Sequence, residues 1–252
     1  MSLIETSIHG AIHELRLARA PVNALDPALC EALTQALAGA IDAGAQGIVL
    51  AGGPKVFSAG LDVPYLLSLG DDQDALLRAW TVFFDAARTL VACPVPVVAA
   101  LAGHSPAGGC VLALCCDYRI MAEGPYRIGL NETQVGLVAP EGIQSLLARM
   151  VGSHRAERLL VAGEMVDSAE ALRIGLVDEL TGIDEVATRA RAWLEALLQL
   201  PSTPMLQTRR IARESAIDCL RDERIELAKF VSGWMQPDTQ AALRAMLARI
   251  GK

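Results

Sequence analysis

A glycine-rich turn and an isolated acid are the parts of this chain best suited to chemistry. Residues 103–111 read GHSPAGGCV, and residues 128–136 read IGLNETQVG. Glycines allow backbone N–H groups to approach a ligand closely, and a helix that begins at such a turn adds the positive end of its dipole. The turn therefore predicts an anion hole for a carbonyl oxygen that gains charge, and Glu132 is predicted to be the general base beside it.

Glu132 is the only carboxylate in residues 124–134. Its neighbours in sequence are apolar or amide side chains, which would raise the pKa of its carboxyl group toward the working range of a base. A solvent-exposed loop acid is the alternative interpretation, and the local sequence leaves it open.

Strands and helices are predicted to alternate around these residues. Alternating residues on either side of Gly10 predict a hairpin, and Asp26 followed by Pro27 predicts the N-terminus of a helix. The predicted elements up to residue 122 are strands 3–9 and 11–17, helix 27–43, strand 47–50, helix 74–90, strand 95–101, helix 109–114 and strand 118–122.

From Pro140 onward the pattern is almost entirely helical. Ser153 and Ser168 are predicted helix N-caps, and Gly163 and Gly175 are predicted helix ends. The late elements are predicted as strand 177–180 and helices 185–200, 204–216, 221–234 and 239–250. The chain therefore has the pattern of an α/β core followed by a helical C-terminal region.

Length and charge narrow the class of protein. A chain of 252 residues with 52% hydrophobic content can bury a large core as one domain or as one domain with an appendage. The net charge of -7 and the absence of a Lys/Arg block argue against nucleic acid as a partner. The densest basic group, Arg209, Arg210 and Arg213, is predicted to be a solvated helix face.

Cysteine usage and the chain start predict a compartment. The 6 cysteines lie mostly in apolar runs, which disfavours a disulfide framework and favours a reducing environment. Neither they nor the 4 histidines have zinc-site spacing, so no metal is expected. Residues 1–6 lack a targeting pattern, and the longest apolar stretch, residues 91–102, is too short to cross a bilayer. With arginine in large excess over lysine, the prediction is a cytoplasmic bacterial protein without a membrane partner.

Several loops together resemble one known family. Residues 57–62 (FSAGLD), 106–110 (PAGGC) and 129–132 (GLNE), with Asp117 between them, resemble the crotonase (enoyl-CoA hydratase/isomerase) superfamily over nearly the whole chain. Residues 105–120 with 128–134 are especially similar to its mitochondrial-type Δ3,Δ2-enoyl-CoA isomerases, also called dodecenoyl-CoA isomerases. The resemblance implies a crotonase-like ββα spiral core over residues 1–195, a C-terminal helical trimerisation region over residues 196–252, and a homotrimer or a dimer of trimers.

The resemblance also implies which residues form the site. The backbone N–H groups of Leu61 and Gly108 would hold the thioester oxygen as an oxyanion hole, and Glu132 would be the catalytic acid–base residue. The residues implied to contact the acyl-CoA are Ser58, Ala59, Gly60, Leu61 and Val111. No cofactor is implied, since coenzyme A is part of the substrate. The acyl pocket is expected to draw its wall from residues 63–69 and 75–90.

Val111 separates this chain from the hydratases of the family, which carry a second glutamate at that position. Valine can neither accept nor donate a proton, so one base remains beside the oxyanion hole. One base is sufficient to move a double bond: Glu132 removes a proton from C2 of a 3-enoyl-CoA and returns it at C4. The implied activity is therefore conversion of 3-enoyl-CoA to trans-2-enoyl-CoA in fatty-acid β-oxidation.

Three alternatives remain at this point. The chain could be another acyl-CoA enzyme of the family, hydratase or thioesterase-like, or a catalytically silent CoA-binding assembly protein. Residues 103–107 also resemble the G-x-S-x-G elbow of serine hydrolases, but Ala107 replaces the last glycine and Pro106 lacks the N–H that the elbow requires. His104 and Ser105 are therefore predicted to support the glycine turn, and Asp117 is predicted to be structural.

Overall fold

The computed structural model describes residues 2–250, apart from the side chain of Ile250. Met1, Gly251 and Lys252 lie outside the described residues. The predicted segments 1–195 and 196–252 therefore each contain residues outside the described range, and the boundary between them stays a prediction. Residue 1 of the segment 1–6, in which no targeting pattern was found, also lies outside that range.

The strands alternate with helices along the first part of the chain, as predicted. The strands are β1 (Ile4–His9), β2 (Ile12–Leu17), β3 (Gly47–Ala51), β4 (Val97–Leu101), β5 (Ser105–Pro106), β6 (Tyr118–Ala122), β7 (Arg127–Gly129), β8 (Val166–Asp167) and β9 (Glu179–Thr181). The helices are α1 (Pro27–Asp42), α2 (Val63–Ser68), α3 (Gln73–Val91), α4 (Gly108–Leu114), α5 (Glu141–Val151), α6 (Ser153–Ala162), α7 (Ser168–Arg173), α8 (Val186–Leu197), α9 (Ser202–Asp218), α10 (Asp222–Ile225), α11 (Leu227–Trp234) and α12 (Pro237–Ile250). Short 3₁₀ helices span Glu132–Val135 and Ile183–Glu185.

Within residues 2–250 the strands form two sheets. The larger has the order β1-β2-β3-β4-β6-β9, with an antiparallel β1–β2 hairpin and parallel pairing elsewhere. The smaller has the order β5-β7-β8. Mixed sheets with helices between the strands define an α/β fold, as the sequence predicts.

Both faces of the large sheet are covered, which explains why its central strands are apolar at every position. Every residue of β3 (GIVLA) and of β4 (VVAAL) is buried. Successive side chains of a strand point to opposite faces. Ile48 and Leu50 therefore join the main core with α1 and α3, whereas Val49 and Val98 pack against α8.

Two predicted helix N-caps are wrong by one residue. Ser153 and Ser168 are the first residues of α6 and α7, and the cap positions are held by Gly152 and Asp167. The Asp167 carboxylate accepts a backbone hydrogen bond from the first turn of α7 at 2.9 Å, whereas the Ser168 hydroxyl bonds to Gly124. At α7 the acid directly before the serine is the N-cap, because its carboxylate oxygens reach the free N–H groups of the first turn.

Other late elements agree in part with their predictions. Gly163 and Gly175 follow helix ends with φ of +59° and +78°, as predicted. The predicted helix 221–234 is two helices, α10 and α11, separated by Glu226 at φ +46°. The predicted strand 177–180 is displaced to β9.

The prediction that Arg209, Arg210 and Arg213 form a solvated face is wrong for two of them. The side chains of Arg209 and Arg213 are each 12% exposed and pair with Asp117 at 2.8 and 3.1 Å. Asp117 also accepts a hydrogen bond from the Val97 backbone N–H at 2.8 Å. This acid therefore joins α9 to the sheet, and its predicted structural role is confirmed.

Candidate active site

The topology brings the predicted site segments together at one edge of the large sheet. β3 and β4 are parallel neighbours, so the loops after their carboxyl ends, residues 52–62 and 102–107, meet there. Crevices outside the carboxyl ends of parallel strands are where α/β proteins bind ligands. The pairing of β5 with β7 joins Pro106 to Gly129 and carries the segment with Glu132 to the same place.

The two predicted oxyanion donors lie on adjacent loops. The Leu25 backbone bonds to both neighbours of Leu61, donating to Gly60 O at 2.8 Å and accepting from Asp62 N at 3.0 Å. The Leu61 N–H consequently points away from Leu25. Within residues 2–250, neither this N–H nor that of Gly108 donates to an acceptor. Two free backbone donors on touching loops have the character of an oxyanion hole.

The backbone conformation favours glycine at residue 60, and both loop glycines lie in close contact with the neighbouring loop. Gly60 has φ +82°, and a Cβ there would lie 3.1 Å from the Gly108 nitrogen. A Cβ on Gly108 would lie 2.6 Å from Cδ2 of Leu61, so the close approach is to the protein's own side chain. Ala107, the residue before α4, has φ +46° without being glycine, a strained conformation that concentrates at functional sites.

A cavity of about 780 Å³ opens beside these donors. Among the described residues that line it, two are acids, Asp62 and Glu132. Asp62 is fully engaged, because one of its oxygens accepts from the Tyr65 N–H at 2.9 Å and the other pairs with Arg19 at 2.7 Å. Glu132 is therefore the acid of this cavity whose carboxylate stays available.

Glu132 begins the 3₁₀ helix Glu132–Val135 and has a poorly solvated carboxyl group. Its Oε2 atom is buried and has no hydrogen-bond partner within residues 2–250. Burial raises the pKa of this carboxyl from 4.5 to about 7. The expected pKa shift is confirmed, and the alternative of a solvent-exposed acid is wrong. A carboxyl that titrates near neutrality can both take up and release a proton.

The residues predicted to contact the acyl-CoA differ in position. Ala59, Leu61 and Val111 line the cavity, and Val111 is 3% exposed. Ser58 is fully buried, where its hydroxyl donates to Asn23 O at 2.8 Å and accepts from Gly60 N at 3.2 Å. The Ser58 side chain thus shapes the loop, and contact of Ser58 and Gly60 with acyl-CoA stays a prediction.

His104 and Ser105 have the supporting positions predicted for them. Ser105 is fully buried and lies next to Gly109, 3.2 Å from where a Cβ of that glycine would be. His104 accepts a hydrogen bond from the Arg127 backbone at 3.0 Å through Nδ1. Neither residue lines the cavity. A serine nucleophile at residue 105 would have no access to substrate.

The cavity wall comes only partly from the predicted segments. Val63 and Pro64 of α2 and the aromatic residues Trp80, Phe83 and Phe84 of α3 line it, as expected. The opposite wall was not predicted from the sequence; α11 and α12 supply it through Phe230, Trp234, Leu243 and Met246. Aromatic residues four apart on a strongly amphipathic helix were the available signal.

Residues 2–250 contain no group of three or more His, Cys, Asp or Glu side chains placed to hold a metal ion. No helix in the same range is long and apolar enough to cross a membrane.

Comparison with known proteins agrees with this geometry. The family model described as enoyl-CoA hydratase/isomerase matches residues 7–235. The chain therefore belongs to the enoyl-CoA hydratase/isomerase family, and the predicted crotonase-like fold is confirmed.

Individual relatives carry both isomerase and hydratase names. The mouse protein "Enoyl-CoA delta isomerase 1, mitochondrial" is 33% identical in an alignment over 252 residues that covers 98% of this chain and 86% of the mouse protein. The crystal structure of human mitochondrial delta3-delta2-enoyl-CoA isomerase matches with a TM-score of 0.92 and 30% identity, covering 99% of this chain and 98% of that one. "Probable enoyl-CoA hydratase echA17" of Mycobacterium avium is 34% identical in an alignment over 192 residues that covers 74% of this chain and 72% of that protein.

Proposed function

We propose that this protein is a Δ3,Δ2-enoyl-CoA isomerase that converts 3-enoyl-CoA to trans-2-enoyl-CoA in fatty-acid β-oxidation. The observation that carries the proposal concerns residues 2–250: Glu132 is the one available carboxylate that lines the cavity there, and it lies beside two backbone donors without an acceptor in that range. The similarity to proteins named as isomerases over almost the whole chain supports it.

The proposed reaction is a proton transfer between two carbons. Glu132, ionised, removes a proton from C2, and the electrons move onto the thioester oxygen to give a dienolate. The N–H groups of Leu61 and Gly108 donate to that oxygen as its charge grows; one such donor is typically worth about 3 to 4 kcal/mol in the barrier. Protonated Glu132 then delivers the same proton to C4, which restores the carbonyl and leaves the double bond between C2 and C3.

Hydration is the alternative reaction within the family, and Val111 disfavours it. A hydratase needs a second acid–base group to orient and deprotonate water while carbon is protonated. Val111 is buried on the cavity wall and apolar, and the other acid there, Asp62, is held by Arg19 and the α2 backbone. The cavity thus favours a dry intermediate.

The remaining features of the proposal follow from the family and the composition. We propose that the acyl-CoA thioester is the substrate, that no separate cofactor takes part, and that the chain assembles as a homotrimer or a dimer of trimers. The buried free thiols of the described chain support the reducing, cytoplasmic location that the sequence predicts.

Turnover of three thioesters tests the proposed function. 3-Hexenoyl-CoA and 3-dodecenoyl-CoA should both be converted to 2-enoyl products, whereas water addition to crotonyl-CoA should be absent or far slower. Hydration of crotonyl-CoA at a rate comparable with isomerisation would contradict the single-base mechanism. Tight acyl-CoA binding without either reaction would instead support a silent binding protein.

A further inference from the structure

The short turn that carries Glu132 is fixed to two helices. On one side, the Thr133 hydroxyl donates to Leu160 O at 3.0 Å, and the Gln134 amide donates to Gly163 O at 2.8 Å. Both of these side chains belong to residues exposed to solvent, so water can replace their hydrogen bonds. On the other side the turn contacts Thr239 of α12, whose side chain is buried, although Gly136 itself is exposed.

The contact with α12 consists of one hydroxyl and one carbonyl. Thr239, in the first turn of α12, is 3% exposed, and its Oγ1 donates to the Gly136 carbonyl at 2.8 Å. Gly136 has φ +73°, and a Cβ on it would lie 3.2 Å from Cα of Thr239. The two backbones are therefore in close contact beside the bond between the hydroxyl and the carbonyl.

The Gly136–Leu137 peptide group transmits this contact to the proposed base. Its carbonyl accepts the bond from Thr239, and its N–H, which belongs to Leu137, donates to the carbonyl of Glu132 at 3.0 Å. Because a peptide group is planar and rigid, fixing its carbonyl also fixes the direction of its N–H. Thr239 and the Glu132 carbonyl therefore bind opposite edges of one planar peptide group.

We infer that Thr239 is a positioning residue for the reaction: its hydroxyl orients the Gly136–Leu137 peptide and thereby holds Glu132 at the working distance from substrate. The inference rests on the proposed function, since it assumes that Glu132 is the base. Misplacement of a reacting group by about 1 Å can cost about 100-fold in rate. Removal of the hydroxyl should therefore lower turnover while leaving the acyl-CoA contacts in place.

Isosteric and conservative variants separate positioning from packing. Thr239→Val keeps the shape and removes the donor, and it should lower kcat for 3-dodecenoyl-CoA by about 10- to 100-fold with KM nearly unchanged. Thr239→Ser keeps the hydroxyl and should retain most of kcat. Thr34→Val is the matched control, because the Thr34 hydroxyl donates to Cys30 O within α1, and kcat should stay at the wild-type value. Thermal unfolding of each variant verifies that it folds.

The outcomes distinguish this inference from the proposed function. Wild-type kcat in Glu132→Gln would overturn the proposed base, and the inference with it. An inactive Glu132→Gln together with unimpaired Thr239→Val would overturn the inference alone, as would equal impairment of the valine and serine variants. If Thr239→Val does not fold, Thr239→Cys, whose thiol is a weak donor, replaces it in the same comparison.

Discussion

Asp117 and Glu132 flank α4, one after its C-terminal end and one near its N-terminal end, and their surroundings are opposite. Asp117 accepts hydrogen bonds from Arg209 and from the Val97 backbone, and it forms an ion pair with Arg213. The Oε2 atom of Glu132 has no partner in the described chain, and its pKa rises to about 7. A carboxylate with a full set of partners joins elements of the fold. A carboxylate without them keeps an exchangeable proton, which general acid–base chemistry requires.

Glu132→Gln tests the chemical side of this comparison and should have the largest effect. The amide keeps the size of the side chain but cannot accept a proton, so kcat for 3-enoyl-CoA isomerisation should fall by about 10²- to 10⁴-fold. Acyl-CoA binding, measured by calorimetry, should change little. In the wild type, kcat/KM should rise with pH through an apparent pKa of about 7, because the base acts in its ionised form. Turnover near that of the wild type would remove Glu132 from the mechanism.

Asp117→Asn tests the structural side. Breaking a largely buried ion pair leaves two arginines without their counter-charge, and we expect a loss of about 3 kcal/mol in the free energy of unfolding. Folded enzyme should keep a normal kcat, because Asp117 does not line the active-site cavity. Urea denaturation and the isomerase assay measure the two effects. A large fall in kcat with unchanged stability would show that the contrast with Glu132 is false.

The pH dependence of stability sharpens the comparison further. The folded-state pKa of Glu132, about 7, lies above its ordinary value of 4.5, so the folded state binds this proton more tightly than the unfolded state. The stabilisation is complete below pH 4.5 and is lost as the pH rises through 7. At alkaline pH, Glu132→Gln should therefore exceed the wild type in stability by up to about 3 kcal/mol, with little difference at pH 4. Equal stability of the two at pH 9 would contradict the burial of this carboxyl.

Val111→Glu adds a second acid to the cavity, and its effect should be the smallest of those predicted here. Some hydration of crotonyl-CoA should appear, but slowly, because no surrounding groups orient the new carboxylate and its water. Isomerase activity should fall as the two carboxylates alter each other's pKa. Both rates are measured on wild type and variant. A variant with unchanged isomerisation and no hydration would show that residue 111 does not face the reacting carbons.

The local chemistry of the site could be predicted from the sequence because it depends on residues close together in the chain. The glycine turn, the isolated glutamate and the caps at Asp26 and Gly163 are short-range signals, and the structure has them in place. The two serine N-caps were misplaced by one residue because the spacing of residues alone does not decide between each serine and the residue before it.

Contacts across the chain could not be predicted. Arg209 and Arg213 have the pattern of an exposed helix face, but Asp117, far away in sequence, buries them. Thr239 has no feature that marks it among other threonines, and its relation to Glu132 exists only through the packing of α12 on the 3₁₀ turn. Periodicity shows that a helix has an apolar face but not which cavity that face covers.

The hydrogen bond between Gly136 and Thr239 joins residues 103 positions apart, and synthesis proceeds from the N-terminus. A growing chain therefore contains Leu61, Gly108 and Glu132 long before the ribosome has made α12. Such a nascent chain lacks one wall of the cavity and the support of its glutamate at the same time. The cavity is therefore completed, and the turn with Glu132 supported from both sides, only after residues 237–250 have been made and have packed onto the rest of the chain.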